Sequence, residues 1–189
     1  MHTIRTRINP WTPPPIQNRA RAFPSSETEL KSIIHFLSTN ADNVLPEQTP
    51  GTPTDPDNIL DFSITSRTAT TELESVMDVV DTAFPVTLFG YGNEISYTRL
   101  ERLMEEMNVV PQSFDLRARS DGPVLGDTMD RLTGGGDYPK FLLKGELLGS
   151  AAEVMKMALN GKLAKKLRDA GVEATDGDPY SLRDIVAFW

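Results

Sequence analysis

A chain of 189 residues with no cysteine, a formal net charge of −8 and 39% hydrophobic residues can enclose one ordinary core and leave some chain over for arms. The missing cysteine excludes disulfides, thiolate catalysis, zinc thiolate sites and iron–sulfur ligation by the chain's own sulfur. The acidic balance argues against general nucleic-acid binding, and no apolar run approaches the ~20 residues that a membrane-crossing helix needs.

The charge is unevenly spread. Residues 1–24 carry Arg5, Arg7, Arg19 and Arg21 and no acid. Within Asn9-Pro10-Trp11-Thr12-Pro13-Pro14-Pro15 the prolines would break a helix within a turn, so this segment favours polyproline geometry. A basic, extended arm on an acidic body reads as a tether for an acidic partner surface, with Arg5, Arg7, Pro10, Trp11, Arg19 and Arg21 as contact residues. Trp11 either anchors in a partner's pocket or packs back on the chain's own body. A mitochondrial transit peptide would also be arginine-rich and acid-free, but it needs an amphipathic helix that these prolines disfavour, and the arm is read as retained.

Residues 25–40 read as an amphipathic helix. Ser26-x-x-Glu29 has the form of a capping box, Leu30, Ile33, Ile34 and Leu37 follow at helical spacing, and Asn40 stops it. His35 beside the stripe has no companion at metal-ligand spacing and is read as structural or exposed. Residues 41–69, with Pro46, Pro50, Pro53 and Pro56, form a linker or a strap hugging the surface.

From residue 70 to 172 the texture is that of an α/β domain. Thr71-x-x-Glu74 opens a helix with Leu73, Val76, Met77 and Val80 on one face, and Phe84-Pro85 ends it. Val86–Phe89 is a buried strand, Gly90-Tyr91-Gly92-Asn93 a turn, and Leu100, Leu103, Met104 and Met107 the inner face of the next helix. A second strand, Ser113–Leu116, puts Phe114 and Leu116 on one side, and a helix covers 124–132. Gly134–Gly136 can take positive φ. Pro139, lacking an amide hydrogen, opens a strand after a Tyr138-Pro139 bond suited to the cis form. Phe141–Leu143, a reversal at Lys144-Gly145 and Leu147-Leu148 make a hairpin. Helices follow over 151–159 and 161–170, the second with a basic face of Lys162, Lys165 and Lys166 read as solvated. The tail, 173–189, offers Asp178-Pro179 as a helix start and Leu182, Ile185, Val186 and Trp189 at helical spacing. Strands joined through a helix lie parallel and the hairpin adds antiparallel partners, so a mixed sheet with helices on both faces is expected.

Thr133-Gly134, Pro139, Gly145, Leu148-Gly149 and Gly161-Lys162-Leu163 together resemble the C-terminal half of the glutaredoxin family, and the resemblance extends over residues 72–170. It implies a thioredoxin-like, four-stranded mixed sheet, with Pro139 as the cis-proline beside the family's active site. Where that family has C-P-Y-C or C-x-x-S, this chain reads Glu94-Ile95-Ser96-Tyr97. Glu94 stands at the nucleophile position and Tyr97 at the resolving position. A carboxylate at a helix start suits the helix dipole but cannot exchange thiols, and Ser96 has no histidine nearby in sequence to activate it. Tyr91 replaces the lysine that meets a glutathione carboxylate, Tyr138 replaces a valine, and Ser150-Ala151-Ala152 lack the ligand-binding acid, with Glu153 one position late.

The resulting expectation is a non-catalytic structural subunit without cofactor or metal, bound to protein partners of a larger assembly, with neither glutathione nor direct nucleic acid as ligand and no membrane insertion. A ciliary microtubule lattice, a mitochondrial ribosome and a respiratory complex are the candidate assemblies. The acidic body suits the ribosome least, and the locations implied are the cytoplasm, including the ciliary cytoskeleton, or alternatively the mitochondrion. The competing readings are a small-molecule binding protein or enzyme keeping a degenerate pocket at Tyr91, Tyr138 and Glu153, and an adaptor competing with active glutaredoxins for their partners.

Overall fold

The computed structural model describes residues 22–178 and 184–185. The sheet has the order β2-β1-β3-β4, formed by Val86–Gly90 (β1), Gln112–Asp115 (β2), Lys140–Leu143 (β3) and Glu146–Gly149 (β4). β1 and β2 run parallel, with Leu88 opposite Ser113, whereas β1–β3 and β3–β4 are antiparallel. The mixed sheet read from the sequence is the one formed.

Alternation along β1 divides the core in two. Val86 and Leu88 face Ile95–Glu106 (α3), Ala151–Leu159 (α5) and Lys162–Asp169 (α6), burying Leu100, Leu103, Met104, Val154 and Leu163. Phe89 faces the other way, with Phe114 stacked on it at 4.8 Å between ring centroids. That side is covered by Ser26–Thr39 (α1), Ala69–Ala83 (α2) and Gly122–Thr133 (α4), through Ile33, Ile34, Leu73, Val80, Leu125 and Met129. Fully burying each such aliphatic chain contributes about 1.5–3 kcal/mol.

Several local expectations shift in register. The N-cap of α1 is Ser25, not Ser26: its hydroxyl accepts from the Thr28 amide at 3.1 Å. Glu29 is therefore no capping residue. It points at α4, where Arg131 holds both carboxylate oxygens at 2.5 and 3.0 Å, and it accepts from the Thr54 amide at 2.7 Å. α2 starts at Ala69, ahead of the Thr71-x-x-Glu74 box, with Thr68 as a cap that makes no side-chain bond. Ala69 lies one turn before Leu73 on the buried face, so packing draws the helix back past the local signal. Gly90 is the last residue of β1 rather than part of the turn.

The proline-rich stretch after α1 is a strap, not a free linker. Leu45 and Ile59 are buried in the α1/α2/α4 core. Buried Asp121 accepts from the Leu45 amide at 2.6 Å and from Arg119, which also donates to the Asn43 carbonyl at 2.6 Å. Phe23 is likewise buried at 9% exposure, so the chain joins the core before α1 begins. The sequence boundaries at 24/25, 40/41 and 69/70 thus mark changes of texture, while α1 and the strap share one core with the sheet. In the tail, Ile185 packs with α5 and α6; Asp178 is described, whereas Pro179, Leu182, Val186 and Trp189 lie outside the described residues.

Candidate functional site

Three chain segments meet at the C-terminal end of β1. A Cβ on Gly90 would overlap the Tyr97 ring and come within 2.9 Å of Pro139 Cβ. The Tyr138-Pro139 bond is cis, as read from the sequence. The segment Glu94–Tyr97 and Pro139 are therefore neighbours, packed around a position where only glycine fits.

Glu94 is the N-cap of α3 by its backbone: its carbonyl accepts from the Thr98 amide at 3.2 Å, while its side chain makes no capping bond. The helix dipole is what favours a carboxylate there. Ile95, the first helical residue, is 69% exposed. Ser96 is half-buried, and the one histidine among the described residues, His35, lies on α1 over the strap beside Asp61, so no base serves it. Tyr97 is 4% exposed, and burial pushes its hydroxyl up to about 12, against a lowering contribution from Ser113. Nothing at these positions supplies a thiolate.

Tyr138, the residue before the proline, reaches across to α4. Its hydroxyl donates to the Gly126 carbonyl on α4 at 3.0 Å, and its ring meets Tyr91 edge-on at 5.2 Å. Burial, followed by the nearby Asp130 charge, raises its pKa strongly. Gly126 serves Tyr138 through its carbonyl and not through a missing side chain, since a Cβ there would make ordinary contacts at 3.6 Å to the Tyr91 hydroxyl and 3.8 Å to that of Tyr138. The Lys140 ammonium lies 4.8 Å from the Tyr138 ring centroid, donates to the Gly135 carbonyl at 2.8 Å and pairs with Asp130 at 3.0 Å. Such a lysine is buried as a structural cross-brace rather than offered to a ligand.

The turn after β1 is held from below. Asp115 at the end of β2 accepts from the Gly92 and Arg117 amides at 2.9 Å each, and the Gly92 bond in particular holds its carboxyl below the usual range. A surface cleft of about 640 Å³ runs from Tyr91 past Arg117 and Arg119 to Asp127 and Asp130 on α4, lined by both signs of charge. Glu153 is not among the residues that line this cleft. It closes a capping box at the start of α5, accepting from the Ser150 amide at 2.8 Å, and these bonds lower its pKa.

The sequence brought Glu94, Ile95, Ser96, Tyr97, Tyr138 and Pro139 to one place, but Gly126, Asp115 and Lys140 were missed. Asp115 and Gly126 act through Gly92 and Tyr138, 23 and 12 residues away, and Lys140 through Gly135 and Asp130 across the glycine turn, so no residue pattern announces them. Arg5, Arg7, Pro10, Trp11, Arg19 and Arg21 lie outside the described residues. Among the described residues no group of three His, Cys, Asp or Glu could hold a metal ion, and no helix is long and apolar enough to cross a membrane.

No family model matches the chain. It is 28% identical over 103 residues to the chloroplastic glutaredoxin-C4 of rice, covering 54% of this chain and 77% of that protein. It is 26% identical over 112 residues to Arabidopsis thaliana glutaredoxin-C1, covering 58% of this chain and 90% of the relative. The solved buckwheat glutaredoxin–glutathione complex is similar with a TM-score of 0.46 and 22% identity, over 57% of this chain and 97% of that one. Over about half of its length the chain is thus homologous to the glutaredoxin family and has its thioredoxin-like fold, without a single cysteine to perform that family's chemistry.

Proposed function

We propose that this protein is a non-catalytic interaction subunit, in which the glutaredoxin-like body is a rigid platform and the N-terminal arm fastens it into a larger assembly. The observation that carries the reading is the substitution at the meeting point of α3 and Pro139: a carboxylate at Glu94 stands where the resemblance places the nucleophilic thiol, and a buried phenol at Tyr97 where it places a second cysteine or a serine. The arm's arginines suit an acidic surface, and of the candidate assemblies the microtubule lattice, whose tubulin surface is acidic, fits best. The corresponding location is the ciliary cytoskeleton, with the mitochondrion as the alternative.

Co-sedimentation with polymerised tubulin tests this, comparing the full chain with a form lacking residues 1–21. That deletion stops short of Phe23, which is core. The full chain is expected in the pellet and the truncated form in the supernatant. Equal sedimentation of both would sink the tether, and sedimentation of neither would sink the microtubule.

The pocket reading is weakened by the Tyr91–Tyr138 pair, which meets edge-on against α4, and by Glu153, which is committed to its helix cap. Calorimetry with glutathione is expected to give no saturable heat. Saturable binding that disappears in Tyr138→Ala would overturn the platform reading.

A further inference from the structure

We propose that the solvent face of α5 and α6 is a docking surface for an acidic segment of a partner protein. Between Val154 and Arg168 the chain has five cations and no acid, in a protein whose net charge is −8. Leu163, Ala164 and Leu167 are buried, so Lys162, Lys165 and Lys166, at i, i+3 and i+4, share the opposite face of α6. Lys156 is exposed on α5. One turn on, Leu159 is 45% exposed, an apolar side chain among cations.

This arrangement works against the helix that carries it. Lysines three and four residues apart repel one another, and Lys162 at the first position of α6 faces the positive end of the helix dipole. The cap, Gly161, is left-handed and offers no side-chain bond to compensate. Packing of the leucines holds α6 in place despite its charges. None of the four lysines forms a salt bridge among the described residues, whereas Lys31, Lys140, Arg119, Arg131 and Arg168 all do. The neighbouring Glu153 carboxylate is bonded to Ser150 and meets the Lys156 charge only at a distance, without a salt bridge. Lys166 in the last turn is favoured by the dipole, but Lys162 in the first turn and the lysine–lysine repulsion are offset by no ion pair among the described residues, and that local conflict points to a use outside the chain.

The extent of the patch selects the partner. Glu153 and Asp169 bound it, and Glu173, Asp176 and Asp178 follow directly after α6. A nucleic-acid duplex or an anionic bilayer would extend over those acids within a Debye length of ~8 Å, whereas a short acidic peptide can stay on the lysines. One exposed leucine is too little for bilayer insertion and enough for one apolar anchor in such a peptide. This inference does not depend on the arm.

The test is fluorescence anisotropy of the full chain with a labelled peptide of about twelve residues, glutamate pairs flanking a central leucine, at about 50 and about 300 mM salt. The Lys156→Gln/Lys162→Gln/Lys166→Gln variant keeps helix-forming side chains and is expected to bind about tenfold more weakly at low salt. Leu159→Ser is expected to weaken binding about threefold at either salt concentration. Unchanged melting curves establish that both variants fold. Unchanged affinity in the lysine variant would overturn the proposal. So would tighter, equally lysine-dependent binding of phosphatidylserine vesicles or duplex RNA. If binding is lost only in Arg5→Gln/Arg7→Gln/Arg19→Gln/Arg21→Gln, the arm carries it, and this surface is refuted while the tether stands.

Discussion

At the scale of single residues, Gly90 and Glu94 define the corner where β1, α3 and Pro139 meet. Gly90 is required by closeness: its neighbours are a tyrosine ring and a proline, both fixed by their own elements. Gly90→Ala is expected to cost about 1–3 kcal/mol in urea denaturation, and Gly90→Ala/Tyr97→Leu to recover part of that loss. If Gly90→Ala proves as stable as the parent, Tyr97 and Pro139 do not converge as described. Glu94 tests chemistry instead. A thiol in Glu94→Cys would sit at the start of α3, where the helix dipole lowers its pKa, so it should be alkylated readily near neutral pH. Glutathione-dependent disulfide reduction is nonetheless expected to stay at background, because Tyr91 stands where the resemblance places a lysine for the glutathione carboxylate, and Tyr138 is engaged with Tyr91 and α4. Robust turnover by Glu94→Cys would show that the pocket survives. Glu94 and Tyr97 stood out in the sequence through the resemblance to glutaredoxins, aligned without a gap from Val86. Gly126 did not, since its role comes from the Tyr138 hydroxyl, which reaches its carbonyl from outside α4.

At the scale of elements, the strap shows how polar contacts can hold a segment with few apolar residues of its own. Asp121 and Glu29 each receive one strap amide and one arginine. Removing a buried carboxylate leaves the arginine and the amide unsatisfied together, a loss of about 3–5 kcal/mol for Glu29→Ala. The milder Asp121→Asn is expected to speed hydrogen exchange at the Leu45 amide well before it lowers global stability. Unaltered exchange at Leu45 would mean that the strap is held by burial of Leu45 and Ile59 alone. The proline-rich composition of residues 41–69 permitted either a linker or a strap, and composition could not choose. The choice rests on Asp121 and Arg131, which lie far along the chain on or beside α4.

For the whole molecule, the dependence of stability on pH follows from which groups folding has shifted. Tyr97 is raised from 10.0 to about 12, so its contribution is complete below pH 10 and is lost as pH climbs through the folded value. Lys31, lowered by burial but raised by more through Asp81 and Glu27, ends above 10.5 and acts in the same direction. The urea midpoint should therefore fall steeply between pH 10 and 12, and less steeply in Tyr97→Phe. A midpoint flat to pH 12 would contradict the burial of Tyr97. Asp115 is lowered from 3.8, so its contribution is present above that value and disappears as pH falls through the folded one. The sequence by itself determined the order of helices and strands, the mixed sheet and the loss of thiol chemistry. These depend on periodicity, on turn residues and on residues that are absent, all readable within a short window. Only the tertiary structure decided that α1 and the strap belong to the sheet's core, that Glu29 is an ion-pair partner instead of a cap, and that Tyr91 and Tyr138 meet edge-on against α4. Those outcomes depend on partners dozens of residues apart, whose meeting is set by how helices pack on a sheet and not by any local preference.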